Sequence, residues 1–527
     1  MAPKDKTTEL PEAPAPHSLF STKRNQEIPT LPTVHDKTKL DVRYPLIEPH
    51  AYAHLYYDQT TNEIVYKVEE PQLDPQEKQL LETIERGIGE IINISFINVK
   101  AKNAVIEYLE KNIKVLLAEM GVKVGEETFI KLMYYIYRDF VGINEIEPLM
   151  HDFFIEDIEC NGLNAPVYIV HRKYRNMRTN VVFTDMDKLT SFVEKLSQKC
   201  GKYISYASPI MDGRLPDGSR INATFTQEIS ARGPNFTIRK FTKEPWSPVK
   251  LMRFRTVSPE ILAYLWLLVE YEMNFIVIGG TGSGKTSFLN SIAFFIPPSA
   301  RIVSIEDTHE MQILHENWLP SVAREATGVG AEGRFGEVNL FTLLRSSFRQ
   351  RPDYVIVGEI RGKEAYVLFQ GAASGHPSAC TMHADNVDTM VRRLQTPPIS
   401  LPASLVETID VVCAMTQARV QGEEVRRLKS VVEIINVSDA GKATINTPFI
   451  WDPATDTFFF KTESKMFLKL AKNYGLSREN VLREFSVRTK LLMELYKRGI
   501  EDPKSVQNVI NAYHKTPQDV LRRFNIE

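Results

Sequence analysis

Cysteine is scarce in this chain. Four stand among 527 residues, at Cys160, Cys200, Cys380 and Cys413, too far apart for a zinc knuckle or a disulfide framework. They read as reduced, partly buried thiols. A charge excess is missing too: 64 Lys+Arg against 66 Asp+Glu give no basic stripe of the kind that binds nucleic acid. Long apolar runs are also absent. The most apolar, 261–269, is too short to span a bilayer and meets Glu270 and Glu272. The first twenty residues, MAPKDKTTELPEAPAPHSLF, lack the apolar core of a signal peptide. The expectation is a cytoplasmic protein that meets a membrane through a partner. With 43% hydrophobic residues, large buried cores are possible, and the length suits about two to four domains.

Pro, Thr and charge dominate residues 1–40, which predicts a flexible tail. Residues 41–140 are expected to form a helical region, its periodicity beginning after Asp74 and Pro75. Leu80, Leu81, Ile84 and Ile88 make one stripe; Val105, Leu109, Ile113 and Leu116 make another, capped by Asn103 and ended by Gly121. A third helix over 126–140 carries Phe129, Met133 and Ile136. Residues 141–241 read as α+β, with strands at 167–170 and 181–183, a helix through Leu189, Phe192, Val193 and Leu196, and a closing strand at 236–241. Pro245 and Pro248 place a linker at 242–255. From 256 to 425 short apolar strands at 275–278, 302–305 and 354–357 alternate with helices and loops, the signature of a parallel α/β sheet. Residues 426–527 are expected to add one β segment and then helices.

The chemistry begins at 279–286. Strand FIVI leads into Gly279, Gly280, Thr281, Gly282, Ser283, Gly284, Lys285 and Thr286, and a helix with Phe288, Leu289 and Ile292 follows. Glycines let successive N–H groups curl inward onto phosphate oxygens, and the helix N-terminus adds partial positive charge. Lys285 can bridge the β- and γ-phosphates of ATP, and the Thr286 hydroxyl can ligate Mg²⁺. Both flanks weigh against a Gly-rich turn with an incidental lysine.

One strand later, RIVSIEDTHE delivers Glu306 and Asp307 to a strand end, where open α/β sheets place ligands. Glu306 can polarise the attacking water. Taken alone, the pair reads as a solvated loop or a helix cap. The strand of RPDYVIVGEIR ends in Gly358 and Glu359, with glycine where many P-loop proteins carry Asp. Mg²⁺ would then be held partly through water, with Glu359 the nearest carboxylate. His376 and His383 bracket an apolar stretch; their spacing does not suit zinc, and in this company a His can report on a γ-phosphate. Arg214, Arg220, Arg232 and Arg239 crowd ahead of the linker. Surface charge is the default for each, and phosphate contact in a neighbouring subunit is the alternative.

In this order the motifs resemble those of the type II/type IV secretion ATPases. GGTGSGKT looks like their Walker A, RIVSIEDTHE their Asp box, VGEIRG their atypical Walker B and SGHPSACTMHAD their His box. MDGRLPDGSRINAT and RGPNFTIRKF resemble the archaeal branch, which drives archaella and type IV pili; the four-cysteine zinc insertion common in bacterial members is lacking. The resemblance implies a RecA-like P-loop NTPase domain, preceded by a helical and α+β N-terminal domain and followed by a helical extension. It implies a homo-hexamer with ATP between the two domains, a polytopic membrane platform protein as partner, and pilin or archaellin filament machinery. Glu306 would be the catalytic acid, Glu359 would orient water or metal, and His383 would sense the γ-phosphate. Arg214, Arg220 and Arg239 would be the positions for contacts in trans. A nucleic-acid translocase of a conjugation system is the competing reading, opposed by the balanced charge. A non-catalytic scaffold is opposed by the intact Lys285, Glu306 and Glu359.

Overall fold

The computed structural model describes residues 19–24, 29, 31–32, 36–91, 102–241, 244–324, 328–330, 333–438 and 441–526. The chain divides between Phe241 and Thr242 into two compact units, each built on its own large sheet.

In the first unit the strands are β1 (Lys23–Arg24), β2 (Asp41–Glu48), β3 (Ala51–Asp58), β4 (Glu63–Glu69), β5 (Ile155–Cys160), β6 (Pro166–His171), β7 (Arg175–Val182), β8 (Ile210–Arg214), β9 (Arg220–Thr224) and β10 (Asn235–Arg239). They join in the order β1-β2-β3-β4-β7-β6-β5-β10-β9-β8. Helices Pro75–Ile91, Lys102–Glu119, Glu126–Ile136 and Met186–Lys199 accompany the sheet. Their stripes, with Ile84, Leu109, Leu132 and Val193 at 0% exposure, share one core with Ile158 and Ile238 of the sheet.

Residues 41–69, expected to be helical, are three strands. Alternation is present in AYAHLYYD, but its outward positions are half-buried rather than polar, so the period of two is muted. Pro45, a breaker by habit, sits beside a register shift between β2 and β3, the place where a sheet tolerates proline. Of the expected flexible tail, residues 1–18 lie outside the described residues. Further on, Phe20 and Leu31 are buried in the first core, and β1 pairs with β2.

The second unit contains β11 (Phe275–Ile278), β12 (Ile302–Glu306), β13 (Trp318–Val322), a small ribbon of β14 (Gly328–Gly330) and β15 (Gly333–Phe335), then β16 (Tyr354–Val357), β17 (Ser378–Met382), β18 (Val411–Val420), β19 (Glu423–Val437), β20 (Ala443–Asp452) and β21 (Thr457–Phe460). The large sheet runs β13-β12-β16-β17-β11-β18-β19-β20-β21. Neighbours from β13 through β18 are parallel, and β18 to β21 are antiparallel. β11 is covered on both sides: Phe275 and Val277 join one apolar cluster, Ile276 and Ile278 the other. That double burial is why parallel strands read as continuous apolar runs.

The run 261–269 lies in helix Pro259–Glu270 and is buried throughout, a helix apolar all round because the protein surrounds it. Among the described residues no helix is long and apolar enough to cross a membrane. The linker expected at 242–255 is shorter in the structure. Ser247 caps a helix, Pro248–Arg253, whose Val249, Leu251 and Met252 enter the second core. Past residue 425 the structure has more strand than the one segment expected. β19, β20 and β21 extend the sheet, and their charged residues disguise them. Arg427 is buried against Asp456, and Glu433, fully buried, accepts from Tyr264, Ser464 and Asn446.

Candidate nucleotide site

The site gathers at the C-terminal ends of the parallel strands. β11 runs into the glycine loop, where Gly282 and Gly284 have φ of 71° and 89°, a region that favours glycine. A Cβ on Gly279 would lie 2.6 Å from the Met415 carbonyl oxygen and from Ser283 Oγ. Three loop donors converge on one acceptor, the Gly280 carbonyl: Lys285 Nζ at 2.9 Å, Ser283 Oγ at 2.8 Å and Ser283 N–H at 3.4 Å. Lys285, the first residue of helix Lys285–Ile292, is 8% exposed. A donor set focused in this way fits an anionic phosphate oxygen, a stronger acceptor than a carbonyl.

Lys285 Nζ also lies 3.3 and 3.4 Å from the ring nitrogens of His383, and His383 Nε2 is 3.3 Å from Glu359 Oε1. The structure therefore joins Lys285, His383 and Glu359 from the ends of β11, β17 and β16. Burial, and then the charge of Lys285, hold the imidazole below its usual pKa against the opposing pull of Glu359, so it is neutral at pH 7 and can accept from the lysine. Arg393 donates to the His383 carbonyl at 2.6 Å. His376 sits at the other end of β17, edge-on to Phe348.

Glu306 ends β12 and is 2% exposed. Its Oε1 accepts from the backbone N–H of Glu310 and Met311 at 2.8 and 2.9 Å, and Oε2 lies 3.0 Å from His309 Nδ1. His309 stacks on Trp318, whose indole donates to Ser304. The carboxylate thus pins the non-helical loop that follows it, and is neither a solvated loop acid nor a helix cap. Asp307 pairs with Arg361, tying this loop to the one after β16. Among the described residues no group of three or more His, Cys, Asp or Glu forms a metal cluster.

In the first unit, Arg214, Arg220 and Arg239 are direct cross-strand partners across β8, β9 and β10. They form one row, with Asp212 3.6 Å from Arg220 and Asp157 3.6 Å from Arg239. Arg232 is not in that row; its backbone packs against Gly162. Sequence reasoning missed His309, Arg393 and, from β19, Arg426, which donates to the Gly282 carbonyl at 2.8 Å. For His309 the signal was at hand, three residues after Glu306. For Arg426, 144 positions from its acceptor, there was none.

A parallel sheet with a glycine loop after β11 and acids at the ends of β12 and β16 defines a RecA-like P-loop nucleotide hydrolase. The family described as Type II/IV secretion system protein matches residues 145–448, and the chain belongs to it, as an ATPase. An uncharacterised protein of Methanocaldococcus jannaschii is 36% identical over 403 residues, 76% of this chain and 72% of that one. The type IV secretion system protein PtlH of Bordetella pertussis is 28% identical over 269 residues, covering 45% of this chain and 78% of its own. Among solved structures, the Legionella pneumophila ATPase DotB aligns over 68% of this chain and 91% of its own, at 17% identity and a TM-score of 0.39.

Proposed function

We propose that the chain is the ATP-hydrolysing motor of an archaeal type IV pilus-like filament or secretion machine, with Lys285, His383, Glu359 and Glu306 as its hydrolytic set. The observation that carries this is the contact of Lys285 with His383 and of His383 with Glu359, beside a buried acid on the adjacent strand. Gly279, Gly280, Thr281, Gly282, Ser283 and Gly284 wrap the phosphates with backbone N–H groups. Lys285 leaves the Gly280 carbonyl for the β/γ-phosphate oxygens, where its charge meets the negative charge of the transition state. His383, which touches Lys285, would report whether the γ-phosphate is present. Glu306 polarises the attacking water, and Glu359 orients it. Thr286 and Glu359 would hold Mg²⁺, partly through water, and the ion would neutralise phosphate charge.

The row of Arg214, Arg220 and Arg239 is suited to reach a phosphate of an adjacent copy in a homo-hexamer, since aligned guanidinium groups favour an anion. The work is delivered to a polytopic platform protein at the cytoplasmic face of the membrane, and pilin or archaellin assembly follows. Relatives in an archaeon support the archaeal branch. ATP turnover measured with and without nucleic acid, and in the presence of a platform protein's cytoplasmic loops, tests the reading. Stimulation by the loops and indifference to nucleic acid is expected. Stimulation by nucleic acid alone overturns it.

A further inference from the structure

Outside the four motifs, the antiparallel hairpin of β18 and β19 braces the phosphate loop from Gly279 to Gly284. Met415 of β18 closes on Gly279, its carbonyl oxygen 2.6 Å from a Cβ built there. Arg426 of β19, opposite Gln417 of β18, donates through Nε to the Gly282 carbonyl at 2.8 Å. Its Cδ lies 3.5 Å from a Cβ built on Gly284. The neighbouring Arg427 is anchored by both oxygens of Asp456 and by the Phe254 carbonyl, so the strand that carries Arg426 is fixed.

In a planar trans peptide the C=O and the following N–H point to opposite sides. Arg426 holds the Gly282 oxygen on its own side, which turns the Ser283 N–H the other way, toward the Gly280 carbonyl at 3.4 Å. That is the carbonyl on which Lys285 also converges. A bond this long leaves the N–H most of its donor strength. Gly282 has no Cβ to restrict it, and Gly284 follows one residue beyond the peptide, so flanking sterics alone hold its orientation weakly. A grip from outside the loop is what keeps the donor aimed. An ordinary surface Arg–carbonyl contact would do none of this, because its acceptor would not be part of a phosphate cradle.

We infer that Arg426 is a positioning residue for nucleotide phosphate, orienting the Gly282–Ser283 peptide so that its N–H faces the anion. The inference rests on the ATP-binding reading above. The test is the binding of a non-hydrolysable ATP analogue, together with KM and kcat, in the full-length chain carrying Arg426→Ala, Arg426→Gln or Arg426→Lys, with Lys285→Ala alongside. Arg426→Ala should weaken analogue binding and raise KM about tenfold, the scale of one hydrogen bond to a charged acceptor, with kcat changed less than about twofold. Arg426→Gln, an uncharged donor, should recover much of that loss. Wild-type KM in both Ala and Gln variants overturns the inference. Recovery by Lys and not by Gln also overturns it, because the effect is then charge and not peptide orientation. If Lys285→Ala binds the analogue as tightly as wild type, the fault lies in the ATP-binding reading itself.

Discussion

Gly358 and Glu306 lie side by side at the ends of adjacent parallel strands, and a Cβ on Gly358 would stand 3.1 Å from Glu306 Cγ. The Gly358 N–H donates to the Ile305 carbonyl at 2.9 Å, and the Gly358 carbonyl accepts from Thr381 Oγ1 at 2.6 Å. Backbone here is pinned from both sides and cannot yield. Glycine at the Walker B position therefore makes room for the acid of the preceding motif, whose own oxygens are held by the 309–311 loop.

Gly358→Asp, which supplies the acid found in other P-loop proteins, should lower turnover rather than raise it. The new side chain displaces Glu306, the proposed catalytic acid, and an ångström-scale misplacement of such a group costs about a hundredfold. Nucleotide binding, which depends on the 279–286 loop, should persist. Steady-state turnover and analogue binding measured together check it; unchanged turnover would mean that Glu306 is not restrained by this packing.

Glu433→Ala should destabilise the second unit by about 3 kcal/mol, because it strands the buried partners of a charged network. Tyr264, Ser464, Asn446 and the backbone N–H of Lys465 all donate to this one carboxylate. It caps helix Lys465–Tyr474 through Ser464. Denaturant unfolding gives the number, and a loss below about 1 kcal/mol would make the network dispensable.

His171 carries a pH prediction for the first unit. Burial, its largest influence, pushes the imidazole down to about 4, while its Nδ1 accepts from the N–H groups of Lys173 and Tyr174. Since the folded value lies below the unfolded value near 6.5, stability is complete above pH 6.5 and is lost as pH falls toward 4. Between pH 7 and pH 5 the loss from this residue should be about 2 kcal/mol. Asn at 171 keeps an acceptor and has no proton to gain, so unfolding curves of His171→Asn should show a smaller fall over that interval. An equal fall in both chains would remove His171 as the cause.

Legibility in the sequence followed burial symmetry. β11, β12 and β16 are covered on both faces and read as apolar runs, and the glycine loop between a strand and a helix announced itself. β3 was not legible because Tyr52, His54 and Tyr56 fill positions where polar residues would mark alternation, and β2 was masked by Pro45 at its register shift. β19 was hidden because its buried Arg427 and Glu433 look like surface charge until Asp456 and Tyr264 are seen beside them. At the site, the motif residues could be read in order along the chain. The braces that hold them, His309, Arg393 and Arg426, are contacts of tertiary structure. Only His309 lies near its partner in sequence.

If Lys285 and Glu306 together build a hydrolytic site, the rate of ATP hydrolysis in Glu306→Gln must show it. Gln can keep the acceptor toward Glu310 and Met311, so the loop should hold its shape while the acid proposed to polarise water is lost. Analogue binding in Glu306→Gln should match wild type, and turnover should fall by about a hundredfold or more, with Lys285→Ala losing both. Near wild-type turnover in Glu306→Gln would contradict the account: Glu306 would then be a cap for its own loop, and Glu359 the acid that acts on water.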